Sequence, residues 1–449
     1  MGLRSGIARA AGVACLWGLR NVLHRNATTL PGKVALALDP RAIESLAAKL
    51  NRGSIVVCGT NGKTTTNNIV AEALERAGMS VLCNRVGANM ASGIATALLP
   101  GRRADWGVFE ADELSTVHIV PQLKPRYLFL LNLFRDQLDR CGELERVQEA
   151  VVRALAGSPD TVLAYNADDP LCRGVAEAVE ARGGKTVAFG VAEPMGLPEE
   201  SASAASFCQR CGTALLYEYR QYGQLGDYAC PRCGFGRGDL DVAAHNARVG
   251  ESGVSFEVGG PLLGADERVE APFGGAYMVY NLTAAYLAAR LAGADTQTFC
   301  AAIRGYRPEN GRLQRFDVDG RHVTLNLAKN PTGYNQNLLL VMADAAPKVV
   351  YVVVNDGYGD GRDVSWLWDV EFERLREAGE VKVYVGGHRT NDVQVRMKYA
   401  GIEAAVAETV GDVLAASAEL PPEWHVWALP NYTALWPVKA DLERMGESR

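Results

Sequence analysis

The sequence predicts an α/β fold: a phosphate-loop domain with an inserted zinc ribbon, followed by a smaller α/β domain. Three observations carry this. Apolar strand-like runs alternate with amphipathic helical segments along most of the chain. A glycine loop, "CGTNGKTTTN" at Cys58–Asn67, stands between a buried strand and a helix. Two Cys-x-x-Cys pairs, Cys208/Cys211 and Cys230/Cys233, lie eighteen residues apart within this pattern.

The chain has 449 residues, enough for two or three domains. It is 48% hydrophobic and 22% charged, ordinary values for a globular protein. A formal net charge of −6 argues against a nucleic-acid binder, which would show a basic face. No run of apolar residues is long enough for a transmembrane helix. Residues 1–50 form an N-terminal helical segment too short for a domain. Its first stretch, "MGLRSGIARAAGVACLWGLRNVLHR", is basic and moderately apolar, but Arg9 interrupts it and no cleavage site follows. The expectation is an amphipathic helix packed on its own domain, rather than a signal peptide or a membrane-surface helix.

Residues 51–312 read as the nucleotide-binding domain. A glycine loop at a helix N-terminus lets backbone N–H groups surround phosphate oxygens. The candidates are Gly59, Thr60, Asn61, Gly62, Lys63, Thr64 and Thr65. Lys63 is placed to reach the β- and γ-phosphates, and the Thr64 hydroxyl to meet Mg²⁺. The strict G-x-x-x-x-G-K-[ST] pattern is not met, because Val57 occupies the first glycine position. Further apolar runs ("SVLCN", "DWGVFEA", "YLFLLN", "TVLAYN", "TVAFG") predict a parallel sheet covered by helices. Glu110 ends one of them. A solvated carboxylate and a Mg²⁺ ligand fit it equally when it is taken alone; its place after an apolar strand in a phosphate-loop protein favours the metal.

The segment 206–236 holds the knuckles. Cys-x2-Cys-x18-Cys-x2-Cys is four-thiolate zinc spacing, and Gly212 and Gly234 follow the second cysteine of each pair. Such a site is closed to water, so its expected role is structural. Only Arg210, Arg220, Arg232 and Arg237 lie nearby, diluted by Glu218 and Asp227, which disfavours nucleic-acid contact. The other cysteines (Cys15, Cys58, Cys83, Cys141, Cys172, Cys300) have unrelated spacings in mostly apolar surroundings, as expected of reduced thiols in the cytoplasm. A β-rich patch ("VSFEVGG"), a helix ("YMVYNLTAAYLAARLAG") and a linker ("RPENGRLQRF") follow. Residues 313–449 read as the second α/β domain, with strands at "KVVYVVVND", "VKVYVGG" and "EWHVWALPN". Asp356 sits at the C-terminal end of the first of these strands, where α/β folds place functional groups. Asp360 and Asp363 follow in the same loop, and turn or capping roles fit all three equally.

"GTNGKTT" resembles the phosphate loop of the Mur ligase superfamily, whose members form amide bonds by phosphorylating a carboxylate with ATP. The resemblance continues in order. Glu110 matches the family's magnesium carboxylate. Asn132, Asp136 and Asp139 match an Asn-x-x-x-Asp-x-x-Asp segment, and "YNADDP" an Asn-x-Asp-Asp segment. Asn281 matches a nucleotide-contacting asparagine and Arg312 the linker arginine. The resemblance thus implies a Mur ligase central domain with a Rossmann-like C-terminal domain, using ATP and Mg²⁺. Lys185, in "ARGGKTVAFG", does not clearly match the modified lysine that many members use for a second Mg²⁺. Members acting on UDP-linked precursors carry an N-terminal UDP domain. Here the loop arrives at Gly59, so the expected substrate is not gripped by UDP.

With the ribbon, and with "TTLPGKVALALDP", "NRVGANM" and "DGRDVSWLWDVEFE", the chain is similar to the MurT family, the synthetase subunits of lipid II isoglutaminyl synthase. That resemblance implies ATP-dependent amidation of the α-carboxyl of D-glutamate in the lipid II stem peptide, through an acyl phosphate, giving D-isoglutamine for peptidoglycan. It implies a heterodimer with a GatD-type glutamine amidotransferase that supplies ammonia. A C-terminal-domain aspartate, here Asp356, would complete the partner's Cys–His pair. The chain's own residues agree that ammonia comes from outside. Cys58 lies in a strand, the knuckle thiols belong to metal, and none of the six histidines has an obvious cysteine companion. The expected compartment is the cytoplasm, at or near the inner face of the membrane where lipid II resides. Two alternatives compete. A folylpolyglutamate-synthase-type ligase would need neither partner nor ribbon, and a nucleotide-gated RNA- or protein-binding module is disfavoured by the acidic chain.

Overall fold

The computed structural model describes residues 3–25, 27–101, 103–136, 144–198, 205–250, 253–307 and 311–448. Asp139 and Cys141 lie outside the described residues. The strands, in chain order, are β1 (Leu50–Cys58), β2 (Val81–Cys83), β3 (Ala104–Glu110), β4 (Tyr127–Leu130), β5 (Val162–Asn166), β6 (Thr186–Val191), β7 (Leu216–Tyr222), β8 (Leu225–Ala229), β9 (Val242–Val249), β10 (Val254–Gly260), β11 (Gly264–Ala271), β12 (Gln314–Val318), β13 (Arg321–Leu325), β14 (Lys348–Val353), β15 (Val381–Gly386), β16 (Ala404–Val406), β17 (His425–Pro430) and β18 (Glu447–Ser448).

Among the described residues the first sheet has nine strands, ordered β11-β10-β9-β6-β5-β4-β1-β3-β2. From β2 to β9 the pairings are parallel, and β10 and β11 extend the sheet antiparallel. Strands covered on both faces read as continuous apolar runs. This is why Ile55–Cys58 and Tyr127–Leu130 are buried throughout. The helix Ala276–Ala292 is buried almost all round and packs against the helix Lys63–Arg76. A helix apolar on every side belongs inside the domain; Leu287→Ala there would cost about 2–5 kcal/mol.

The second sheet has seven strands among the described residues, ordered β16-β15-β14-β17-β13-β12-β18. Its five strands from β16 to β13 are parallel; β12 and β18 are antiparallel. Both sheets reverse their winding at one strand. The chain runs from β1 toward β3 and β2, then returns to β4 on the other side; likewise from β14 to β15 and β16, then to β17. Parallel sheets leave a crevice at the carboxyl end of such a strand. The phosphate loop follows β1, and Asp356 follows β14.

Three helices, Leu3–Asn21, Leu30–Leu38 and Ala42–Ala47, precede the first sheet; the second and third pack beside the helix Ala91–Leu98, and the first packs on those two. The contact is close because a Cβ at Gly32 would lie 1.9 Å from Ser92 O. No helix among the described residues is long and apolar enough to cross a membrane. The first helix only partly matches the sequence expectation. It packs through Ala8, Gly12 and Leu16, but leaves Leu3, Ile7 and Trp17 exposed.

Candidate active site

The loop after β1 is held open by two glycines. Gly59 has φ +135° and Gly62, which begins the helix Lys63–Arg76, has φ +87°. A Cβ at Gly62 would stand 2.1 Å from Asn281 Oδ1. Asn132 clamps the loop: its carbonyl accepts from Thr60 N at 2.9 Å, its Oδ1 from Asn61 N at 2.8 Å, and its Nδ2 donates to Asn61 O at 3.1 Å. Phe134 N donates to Thr60 Oγ1 at 2.9 Å. The first-turn N–H groups of a helix have no intrahelical partner. Here that turn, with Lys63, Thr64 and Thr65, lines a cavity of about 340 Å³.

Lys63 Nζ donates to Gly59 O and to Glu113 Oε1, the latter at 2.9 Å. Burial opposes the lysine's charge, but the Glu113 carboxylate overrides it and raises the ammonium above its ordinary value. The same partnership holds the Glu113 carboxyl low against burial. Glu113 also accepts from Gly59 N at 3.0 Å. Sequence reasoning passed over it; the signal was its position three residues beyond Glu110 in "FEADE".

Glu110 ends β3 with 1% exposure, its backbone held by Asn84 through two hydrogen bonds of 2.9 Å. Burial pushes its carboxyl up, against hydrogen bonding by Thr64 and the charges of Lys63 and Arg312. Its Oε2 is buried with no hydrogen-bond partner among the described residues. Such an orphan is costly unless a ligand satisfies it. An oxygen donor beside the Thr64 hydroxyl suits Mg²⁺, which takes oxygen ligands. Arg312 Nη2 reaches Thr64 Oγ1 at 3.2 Å, so the linker arginine meets the loop. Lys185 precedes β6, at the amino end of the parallel strands, whereas the phosphate loop follows the carboxyl end of β1.

The second domain closes the cavity. Lys329 pairs with Asp136, and Asn330 exchanges hydrogen bonds with Asn61, at 3.1 Å and 3.4 Å. Neither Lys329 nor Asn330 was singled out from the sequence, since nothing in "LAKNPTGYN" shows that the chain returns to the loop. Asn281, 4% exposed, lines the cavity beside Gly62.

The knuckles converge. The Sγ atoms of Cys208, Cys211, Cys230 and Cys233 all lie within 4.8 Å of one another, a group able to hold a metal ion. Each knuckle turns through a glycine of positive φ, Gly212 at +70° and Gly234 at +72°. The β7–β8 hairpin carries the cluster on one side of the domain and reaches the cavity at its tip. Tyr222 lines the cavity, with its ring centroid 6.0 Å from that of Phe134. The hairpin is bound to the sheet around "YNADDP": Gln224 Nε2 donates to Leu133 O at 2.8 Å, Tyr228 OH to Ala167 O at 3.1 Å, and Arg237 pairs with the fully buried Asp168 at 3.5 Å.

The three loop aspartates separate. Asp360 is buried and accepts from Thr433 N at 2.8 Å and Gly357 N at 3.2 Å, which fixes the loop. Asp363 accepts from Ser365 N at 2.8 Å and starts the short 3₁₀ turn Ser365–Asp369. Asp356 is half-exposed, with His388 Nδ1 at 3.3 Å and Arg389 Nη1 at 3.5 Å. His388 and Arg389 follow β15 in "GGHRT", and sequence reasoning did not connect them to Asp356.

The chain matches the family models "Mur ligase middle domain" over residues 57–217 and "MurT ligase C-terminal" over residues 327–435. It is 31% identical to the lipid II isoglutaminyl synthase (glutamine-hydrolyzing) subunit MurT of Staphylococcus aureus strain N315, over 94% of both chains. It is 32% identical to the subunit of the same name from Streptococcus pneumoniae, over 91% of this chain and 90% of that one. Among solved structures it is similar in fold to a pseudomurein peptide ligase type C from Methanothermus fervidus (TM-score 0.69, 17% identity, 92% of this chain and 84% of that one). It is similar also to MurF from Acinetobacter baumannii (TM-score 0.67, 17% identity, 92% of this chain and 80% of that one).

Proposed function

The chain belongs to the MurT family of the Mur ligases, and from that premise we propose that it amidates the α-carboxyl of D-glutamate in the lipid II stem peptide. It is a carbon–nitrogen ligase subunit of peptidoglycan synthesis. The observation that carries the site reading is the meeting of Arg312 with Thr64 beside the unpartnered Glu110 Oε2, inside one cavity walled by both domains.

ATP bound with Mg²⁺ supplies the phosphoryl group that converts the carboxylate into an acyl phosphate. The loop N–H groups and Lys63 hold the phosphates, and Lys63 stays charged because Glu113 sits behind it. Thr64 and Glu110 offer oxygen to Mg²⁺. Arg312 brings a fixed positive charge to the face where negative charge develops. Thr60, Asn61, Thr65 and Asn281 shape the rest of the nucleotide site. Ammonia nitrogen then bonds to the carbonyl carbon, phosphate leaves, and the nitrogen sheds a proton. We assign ammonia supply to a GatD-type glutamine amidotransferase partner, with Asp356 completing its Cys–His pair in the cytoplasm. Zn²⁺ at Cys208, Cys211, Cys230 and Cys233 is assigned a structural role, since four thiolates leave no open position.

The test is co-purification with a small glutaminase, followed by transfer of the glutamine amide nitrogen to lipid II. Full amidation by Lys63→Ala, or a product formed with glutamate but never with ammonia, would overturn the reading.

A further inference from the structure

The N-terminal helix Leu3–Asn21 is amphipathic twice over. Ala8, Gly12 and Leu16 face the body of the protein. On the opposite side Leu3, Ile7 and Trp17 are 85%, 56% and 62% exposed. At the α-helical turn angle these three, with Ala10 and Ala14, fall within an arc of about 80°. Beyond the helix end Val22 and Leu23, and Leu30 at the start of the next helix, are also at least half exposed. Exposed apolar side chains scattered singly need no explanation, but a continuous stripe does.

The stripe is framed by positive charge alone. Residues 1–38 contain Arg4, Arg9, Arg20, Arg25 and Lys33 and no Asp or Glu, in a chain whose formal net charge is −6. Arg4 and Arg9 bind the helix to the body, through Leu38 O at 2.8 Å and Pro100 O at 3.3 Å, while Arg20 and Arg25 are exposed. Asp39, the first acid, accepts from Ser5 Oγ at 2.6 Å, and Ser5 lies on the body-facing side of the helix, away from the stripe. The helix is held in place by one face and presents the other.

We infer that this face docks the protein on an anionic lipid bilayer, with Leu3, Ile7 and Trp17 entering the interfacial layer and Arg20 and Arg25 meeting the headgroup charge. A partner protein surface would be expected to pair the arginines with carboxylates. A bilayer satisfies both the apolar stripe and the unopposed charge without specific pairing, and tryptophan is enriched at that depth. The inference does not depend on which reaction the nucleotide cavity performs.

The test is flotation of the full chain with phosphatidylglycerol-containing vesicles and with neutral phosphatidylcholine vesicles, in the absence of substrate. The protein is expected to float with the anionic vesicles and to be released by high salt. Ile7→Glu/Trp17→Glu is expected to weaken binding by about tenfold or more, and Arg20→Glu/Arg25→Glu to act similarly at low salt. Both variants change exposed residues, so the melting temperature and ATP hydrolysis with a soluble acceptor should stay as in wild type. Absence of flotation at low salt overturns the inference, as does flotation unaffected by both double variants. So does a dimer, or a complex with the glutaminase, that Ile7→Glu/Trp17→Glu dissociates while vesicle binding persists.

Discussion

Lys63 Nζ lies 2.9 Å from Glu113 Oε1, with both side chains about nine-tenths buried. The loop lysine is therefore oriented before any phosphate arrives, by a carboxylate from the segment after β3. Breaking a buried pair by removing one partner costs about 3–5 kcal/mol, because the remaining charge is uncompensated. Glu113→Ala is expected to lose stability on that order in urea titration. Lys63→Met/Glu113→Leu should recover most of the loss and none of the ATP turnover. A double variant no more stable than Glu113→Ala would show that the pair is not what the single change disrupts.

Gly62 is fixed by two constraints at once: φ +87° and a Cβ position 2.1 Å from Asn281 Oδ1. A side chain in the left-handed region costs about 1–2 kcal/mol, and the clash adds to it. Gly62→Ala should weaken ATP binding, measured by calorimetry, by more than tenfold, and adding Asn281→Gly should recover only the steric part.

Legibility followed how local the information was. The phosphate loop, the knuckles and the parallel core were readable because each is a short pattern with its own physics: a glycine turn before a helix, paired thiolates, apolar runs covered on both faces. Asp360 was not separable from Asp356, because only the fold brings Thr433 against it. Lys329 and Asn330 escaped for the same reason: they meet Asp136 and Asn61 across nearly 200 and 269 residues of chain. The exposure of Trp17 was equally invisible, since a helical apolar stripe looks the same whether it faces a core or solvent.

The β7–β8 hairpin joins the four-cysteine cluster to the cavity, through Tyr222 beside Phe134. Tyr222→Ala should raise the KM for ATP about threefold to tenfold, the worth of one aromatic contact, with metal content unchanged. On the proposal that the four cysteines hold zinc, removing it with a chelator, or Cys208→Ser, should raise the same KM and also lower thermal stability. A chelated protein with an unaltered KM would separate the cysteine cluster from the nucleotide site.

Asp168 and Asp169 are buried side by side where the hairpin attaches. Burial pushes both carboxyls up from 3.8 to about 6, against the Arg237 charge and Tyr280 hydroxyl at Asp168 and the Leu133 and Leu171 N–H groups at Asp169. The folded protein keeps these protons to about pH 6, whereas the unfolded chain releases them near 3.8. Their contribution to stability is thus present below the lower value and lost as pH rises toward the upper one, on the order of 3 kcal/mol each. The measurement is the melting temperature across that window, wild type against Asp169→Asn. The wild type should show the more negative dependence on pH, and parallel curves would mean that Asp169 does not titrate there.

Asp356 differs from Asp360 in what it leaves open. Asp360 is held by Thr433 and Gly357, so Asp360→Asn should destabilise the second domain and depress every activity together. Asp356 is half-exposed, beside His388 and Arg389. An incoming imidazole from a glutaminase can take the place that His388 holds at 3.3 Å. Asp356→Asn keeps the shape and removes the charge that orients such an imidazole. Glutamine-dependent amidation by the heterodimer should then fall by about a hundredfold or more. Amidation with free ammonium chloride should stay within about twofold, because Asp356 itself does not line the cavity that holds the phosphate loop and Arg312. Equal loss with both nitrogen sources would place Asp356 in the fold or the ligase site instead, and an unchanged glutamine rate would remove it from the partner's active site altogether.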